Sequence, residues 1–262
     1  MAIGSFLSAE LLLLWLIAGV AAWIQALTGF AFGLILVGAI ALFDLIPLPE
    51  AAILASLLVI FHGFMVLRVD WREIDRLGFP LLLLGSLPGL LLGYGLLLYL
   101  ASTALSVLAL ILGALIILAA LQMLYRPQPR SHRSGSASFL ATGLAGGVMG
   151  GLFSTAGPPI IWQMYRQPFA HVMVRSTLVA VFFVNAVVRL VLVVATTGVP
   201  AGVWFAAAGA LPMVLLGTLL AQKFPPPVAP IVLRLAASGL LLLSGLALCL
   251  PSLASLTQEL FP

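Results

Sequence analysis

The stretch Gly150-Gly-Leu-Phe-Ser-Thr-Ala-Gly-Pro-Pro-Ile-Ile161 lies inside a long apolar run, and its reading decides the fold. Backbone in lipid must satisfy its own hydrogen bonds, so it is helical unless protein or water serves the freed groups. Gly157-Pro158-Pro159 interrupts such a helix. Two amide donors are missing, and a residue before proline is pushed out of the helical conformation. A new helix is predicted to begin here, with the prolines in its first turn, where amides lack internal partners anyway. Its remaining amides and the positive end of its dipole then point at the break, a ready place for an anion. Ser154 and Thr155 add hydroxyls beside it, and Gln163 follows about a turn later.

Around this break the composition is that of a membrane protein. Of 262 residues, 63% are hydrophobic and 7% charged, with a mean hydropathy of +1.28. A soluble domain could not cover its surface with so few polar groups. Apolar stretches long enough to cross about 30 Å of hydrocarbon recur from end to end. The expected class is an all-α polytopic membrane protein with no room for a separate soluble domain. The first apolar segment lacks a basic leader and a cleavage site, so it reads as a retained membrane segment. The single cysteine, Cys249, excludes an internal disulfide and reads as a small apolar residue.

Charge is unevenly placed. The acids are Glu10, Asp44, Glu50, Asp70, Glu73, Asp75 and Glu259, with none between the last two. That interval carries Arg76, Arg126, Arg130, Arg133, Arg166, Arg175, Arg189, Lys223 and Arg234. Arginine does not shed its proton to ease burial, so cations at membrane depth without a carboxylate need another anion or water. Asp70, Glu73 and Asp75 interleave with Arg72 and Arg76 and read as a solvated cluster.

The sequence also repeats itself. Gly85-Ser-Leu-Pro-Gly-Leu-Leu-Leu-Gly93 matches Gly209-Ala-Leu-Pro-Met-Val-Leu-Leu-Gly217, and at that spacing Gly33 falls on Gly157. At a spacing three residues shorter, Pro47 falls on Pro168, Ser56-Leu57 on Thr177-Leu178, and Arg68 on Arg189. The expected organisation is a membrane repeat over 1–125, a basic polar linker over 126–137 and a second repeat over 138–262. Each repeat reads as a long broken segment (near 8–43 and 138–166) followed by three apolar segments. If the broken segments dip in and return, each half crosses three times and the halves are inverted. The loop and linker arginines then gather on one side, as positive-inside placement favours. Inverted repeats with interrupted helices are a usual build of secondary transporters. The first-half counterpart of the break is Gln25-Ala-Leu-Thr-Gly-Phe-Ala-Phe-Gly33, offering Gln25, Thr28, Gly29 and Gly33 but no proline.

The two breaks, with Gly147-Val-Met-Gly-Gly-Leu-Phe-Ser-Thr-Ala-Gly-Pro-Pro159, Pro168-Phe-Ala-His-Val-Met-Val-Arg-Ser-Thr-Leu178 and Pro47-Leu-Pro-Glu-Ala-Ala-Ile-Leu-Ala-Ser56, resemble the TauE/SafE sulfite exporter family. The resemblance extends over nearly the whole chain. Where members show a denser Gly-Ile-Gly-Gly-Gly turn, Ser154 and Thr155 stand here. The resemblance implies movement of sulfite, organosulfonates or related sulfur oxyanions across the bacterial inner membrane; the expected mechanism is alternating access, with export favoured over uptake.

The expected substrate-binding residues are therefore Gln25, Thr28, Gly29, Gly33, Ser154, Thr155, Gly157, Pro158 and Gln163. Arg175 and Arg189 could supply charge, Asn185 lies one turn before Arg189, and Arg234 is a further arginine at depth. His62 is a candidate for proton coupling, against a plain packing role. A membrane-embedded enzyme would need an acid, base or metal cluster, and only His62 and Asp44 approach one. No His-Glu-x-x-His spacing occurs. No enzyme activity, metal or cofactor is expected. The expected partners are a small anionic substrate and membrane lipid, not nucleic acid, with a homodimer left open. An uptake permease or channel for another small anion is the alternative.

Overall fold

The computed structural model describes residues 9–28, 30–124, 129–155, 157–223 and 230–260. Gly29 falls outside them, and so do the side chains of Thr28 and Arg234. The described residues form ten α-helices and a short 3-10 turn, without a strand among them. The first half holds α1 (Ala9–Thr28), α2 (Phe32–Leu42), α3 (Leu48–Asp70), α4 (Gly78–Thr103) and α5 (Leu105–Leu124). The second holds α6 (Ser136–Phe153), α7 (Gly157–Tyr165), α8 (His171–Thr196), α9 (Ala201–Lys223) and α10 (Pro230–Leu260). Seven of the described helices are long and apolar enough to cross a membrane, whereas Phe32–Leu42 and Leu241–Leu253 are shorter apolar stretches. The chain is an all-helical, multi-pass membrane protein.

Both long segments break where the sequence placed a break. In the first, α1 ends at Thr28 and α2 begins at Phe32, with Ala31 at φ 82°. In the second, α6 ends at Phe153, Ser154 turns at φ 58°, and α7 begins at Gly157. Left-handed backbone at a residue with a side chain is uncommon and costs about 1–3 kcal/mol, so the surrounding packing must hold it. Pro158 and Pro159 sit in the first turn of α7, where they displace no helical hydrogen bond.

Small residues set the helix pairings, because lipid offers no hydrophobic drive between helices and close backbone contact must hold them. On α4, Gly85, Gly89 and Gly93 interlock with Gly143, Gly147 and Gly151 on α6. Gly85 lies on Leu140 and Gly93 on Val148, so the two helices run parallel. The pair α1 and α9 is also parallel: Gly209 lies on Trp15, Gly19 on Met213, and Gly217 on Gly19 and Trp23. By contrast α3 and α8 are antiparallel, with Ser56 against Arg189, Gly63 against Phe183 and Asp70 against Arg175. So are α5 and α10, with Leu110 against Cys249 and Ile117 against Gly245. The core fills with fully buried Phe32, Leu36, Leu54, Leu58, Leu112 and Phe153, while leucines such as Leu84, Leu92 and Leu243 stay exposed on the outer face.

One expectation is corrected. Asp75 is not part of a solvated cluster: it is buried. Its carboxylate accepts from the Leu77 and Gly78 amides at the start of α4 (3.2 and 3.0 Å). It also accepts both arms of Arg133 from the linker, at 3.0 and 2.8 Å. Thr177 of α8 accepts from the Asp75 amide, and the Arg133 guanidinium lies over the rings of Phe139 and Phe169. A planar fork suits such two-armed pairing, and the helix N-terminus favours the carboxylate.

Candidate functional site

The two breaks meet. A Cβ added at Gly33, in the first turn of α2, would lie 2.7 Å from Thr155 Cγ2 and 3.2 Å from the Ser154 carbonyl. A side chain here would have to push Thr155 aside, so the glycine favours this close approach of α2 to the other break. Between them lies a cavity of about 30 Å³ lined by Gln25, Phe32, Gly33, Ser154, Thr155 and Gly157, among others. A smaller one of about 10 Å³ is bounded by Gly150, Ser154, Phe182, Asn185 and Ala186. Ser154 lines both. The larger has room for a water or two.

Gln25 closes the first break from within. Its Oε1 accepts the Phe32 amide at 2.9 Å, serving one of the free donors at the head of α2. That amide is therefore occupied by protein rather than left bare. Thr155 presents a buried hydroxyl with no protein partner.

Arg189 lies at the second break and is 1% exposed. Its Nε donates to the Gly151 carbonyl at 3.0 Å, and its Nη1 donates to the Ala52 carbonyl and to Ser56 Oγ, each at 3.0 Å. Gly151 is in the last turn of α6, whose carbonyls lack helical partners, so a cation is favoured there. Ser56 Oγ in turn lies 2.9 Å from both the Ala52 carbonyl and Ser154 Oγ. A continuous polar path thus runs from the guanidinium through two hydroxyls to the cavity. Asn185, one turn earlier on α8, accepts from Ser86 Oγ at 3.0 Å, and its Nδ2 is buried without a partner, like Arg189 Nη2. Tyr94 places its ring 5.8 Å from the guanidinium.

His62 is 1% exposed, lies 3.3 Å from Thr218 Oγ1 and stacks on Phe32 at a centroid distance of 6.3 Å. It borders the first break without lining the cavity. Two expected ligands lie elsewhere. Arg175 pairs with Asp70 between the end of α3 and the start of α8. Gln163 accepts from Ser138 at 3.0 Å and takes part in a network with Gln167 and Ser134, tying α6 to α7. Pro158 shapes α7, and its carbonyl accepts from Gln122 of α5. Ser56, Ser86 and Tyr94 were not singled out in the sequence as site residues. Ser56 carried a signal, since it closes the Pro47–Ser56 stretch and falls on Thr177 in the repeat. Among the described residues no cluster of three or more His, Cys, Asp or Glu side chains could hold a metal ion.

Comparison with known proteins gives the lineage. A family model described as sulfite exporter TauE/SafE matches residues 14–248. The chain belongs to this family. The probable sulfite/organosulfonate exporter TauE of Cupriavidus necator is 35% identical over 258 residues, spanning 95% of this chain and 99% of that one. No solved structure matches the chain. The resemblance carried by the two breaks is borne out. As a TauE/SafE member with seven helices able to cross a membrane, the chain is a multi-pass transporter of the bacterial inner membrane and not an enzyme.

Proposed function

We propose that this chain exports sulfite or organosulfonates by alternating access, with the anion held between the two helix breaks. The observation that carries the reading is the meeting of those breaks at a cavity joined to buried Arg189 through Ser56 and Ser154. Ser154 and Thr155 would hydrogen-bond the oxyanion, and Asn185 and Arg189 keep buried donors free for it. Such charge-assisted bonds would replace the hydration shell that the anion gives up.

The architecture is two inverted repeats, 1–125 and 138–262, joined by the linker. Exchanging the halves turns the α4–α6 pair into α9–α1, and maps α3–α8 and α5–α10 onto themselves. The self-paired helices are antiparallel, which fits an axis lying in the membrane plane. Because α1 runs parallel to α9, and hence to α3, the intervening α2 must turn back, and α7 does the same between α6 and α8. Each break is then the tip of a re-entrant hairpin, although α1 and α6 are long enough to cross. Rocking one hairpin-bearing half against the other would open the cavity to either side. The exposed leucine faces would meet lipid.

The test is efflux of radiolabelled sulfite and methanesulfonate from proteoliposomes holding the purified full chain. Both are expected to leave faster than from protein-free vesicles. Efflux of both anions no faster than from protein-free vesicles would refute the proposal.

A further inference from the structure

The charge balance at the breaks bears on which ionic form of the cargo is accepted. Among the described residues Arg189 is the one buried arginine or lysine. The ion pairs formed by described residues are Asp75–Arg133 and Asp70–Arg175, so no carboxylate there meets it. The helix ends add little net charge. At each break a negative C-terminal end (α1, α6) sits beside a positive N-terminal end (α2, α7), and partial charges of about half a unit cancel to first order. The groups facing Arg189 are equally spare. Tyr94 comes from α4. Along α3 stand Glu50 at its half-buried start, His62 beside Thr218, and Arg68 and Asp70 at its far end. From α6 there is no titratable side chain, and from α7 only Tyr165, which packs on Phe30 and His171.

We propose that the cavity is matched to a singly charged sulfur oxyanion, hydrogensulfite or a short alkanesulfonate, and discriminates against the sulfite dianion because, among the described residues, Arg189 is the one buried charge set to meet it. This deepens the transport reading above and rests on it. A monoanion beside Arg189 gives a neutral buried pair. A dianion would leave one negative charge uncompensated in a cavity of about 30 Å³, with scant room for the water that could solvate it. Thr155 Oγ1 in this cavity, Asn185 Nδ2 at the adjoining smaller one and Arg189 Nη2 behind Ser56 are buried without protein partners, so unspent donors surround the place where Ser154 joins the two. Arg189 acts across Ser56 and Ser154 in this closed form, so it sets charge selectivity from one hydroxyl behind the cavity wall.

The experiment compares two anions in proteoliposomes with equal pH on both sides. Sulfite passes from monoanion to dianion near neutral pH, whereas methanesulfonate keeps one charge throughout. Taking the ratio of their fluxes removes any other pH dependence of the carrier, and protein-free vesicles correct for passive leak. The ratio is expected to fall about tenfold per pH unit above the second ionisation of sulfurous acid. Excess methanesulfonate should inhibit sulfite efflux and excess sulfate, a dianion, should not. Arg189→Lys, which keeps the cation, should retain the falling ratio at lower flux. A ratio that is flat or rises with pH, sulfate competing as well as methanesulfonate, or a flat ratio in Arg189→Lys would each overturn the inference while leaving transport intact. Absence of methanesulfonate flux alone would overturn the inference, and absence of flux for both anions would overturn the transport reading with it.

Discussion

Gly147→Ala tests whether the α4–α6 stripe fixes the second break. The new Cβ would sit 2.1 Å from the Ser86 carbonyl oxygen and 2.7 Å from the Ser86 Cα, where ordinary contact starts at 3.4 Å. Backbone cannot swing aside as a side chain can, so the helices must part by roughly 1 Å, and a gap of that size forfeits up to about half of each dispersion contact it opens. Overpacking of this kind costs about 1–3 kcal/mol. At about 2–4 °C per kcal/mol for a chain near this size, the melting temperature in detergent should drop by several degrees. Gly95→Ala is the matched control, because nothing lies within 4 Å of a Cβ there. Alanine is the better helix former, so that variant should hold or gain stability. Sulfite efflux should fall in the first variant and persist in the second, since parting α4 from α6 also moves Ser154. If Gly147→Ala and Gly95→Ala melt together and transport alike, the stripe does not position the break.

Arg189→Met should remove three hydrogen bonds and the buried charge, cutting flux at least about tenfold, with Arg189→Lys intermediate; wild-type flux from the methionine variant would refute its place in the site. Asp75→Asn should cost about 1–3 kcal/mol, less than a fully buried pair, since Arg133 keeps 31% of its side chain exposed; thermal melts would read this, and an unchanged melt would show that the clamp carries no stability. Gln25→Leu should free the Phe32 amide and cost about 1 kcal/mol locally, visible as faster hydrogen exchange at Phe32.

Much of the fold was legible because lipid narrows the choices. Gly157-Pro158-Pro159 could not continue a helix, and the break appears there with the prolines in the first turn of α7. The first break was harder: without proline, it rests on Gln25 and on the left-handed turn at Ala31, which only packing against the second break can hold. Arg189 and Asn185 were legible as polar residues one turn apart at depth. Ser86 was not, and Ser56 only through its place in the repeat, because a lone serine in an apolar helix looks the same whether it bonds its own backbone or a distant side chain. Arg175 and Asp75 misled for a related reason. They pair with Asp70 and Arg133, residues far from them in the chain, and nothing local marks that pairing.

Sequence by itself therefore determined the solvent, the helices and their interruptions. Each of these follows from composition or from backbone chemistry acting within a few residues. Which interruption faces which, and which arginine lies buried behind two serines rather than at a rim, was decided by glycine-lined helices closing on one another. Those contacts join residues scores of positions apart, and their geometry exists only once the helices are packed.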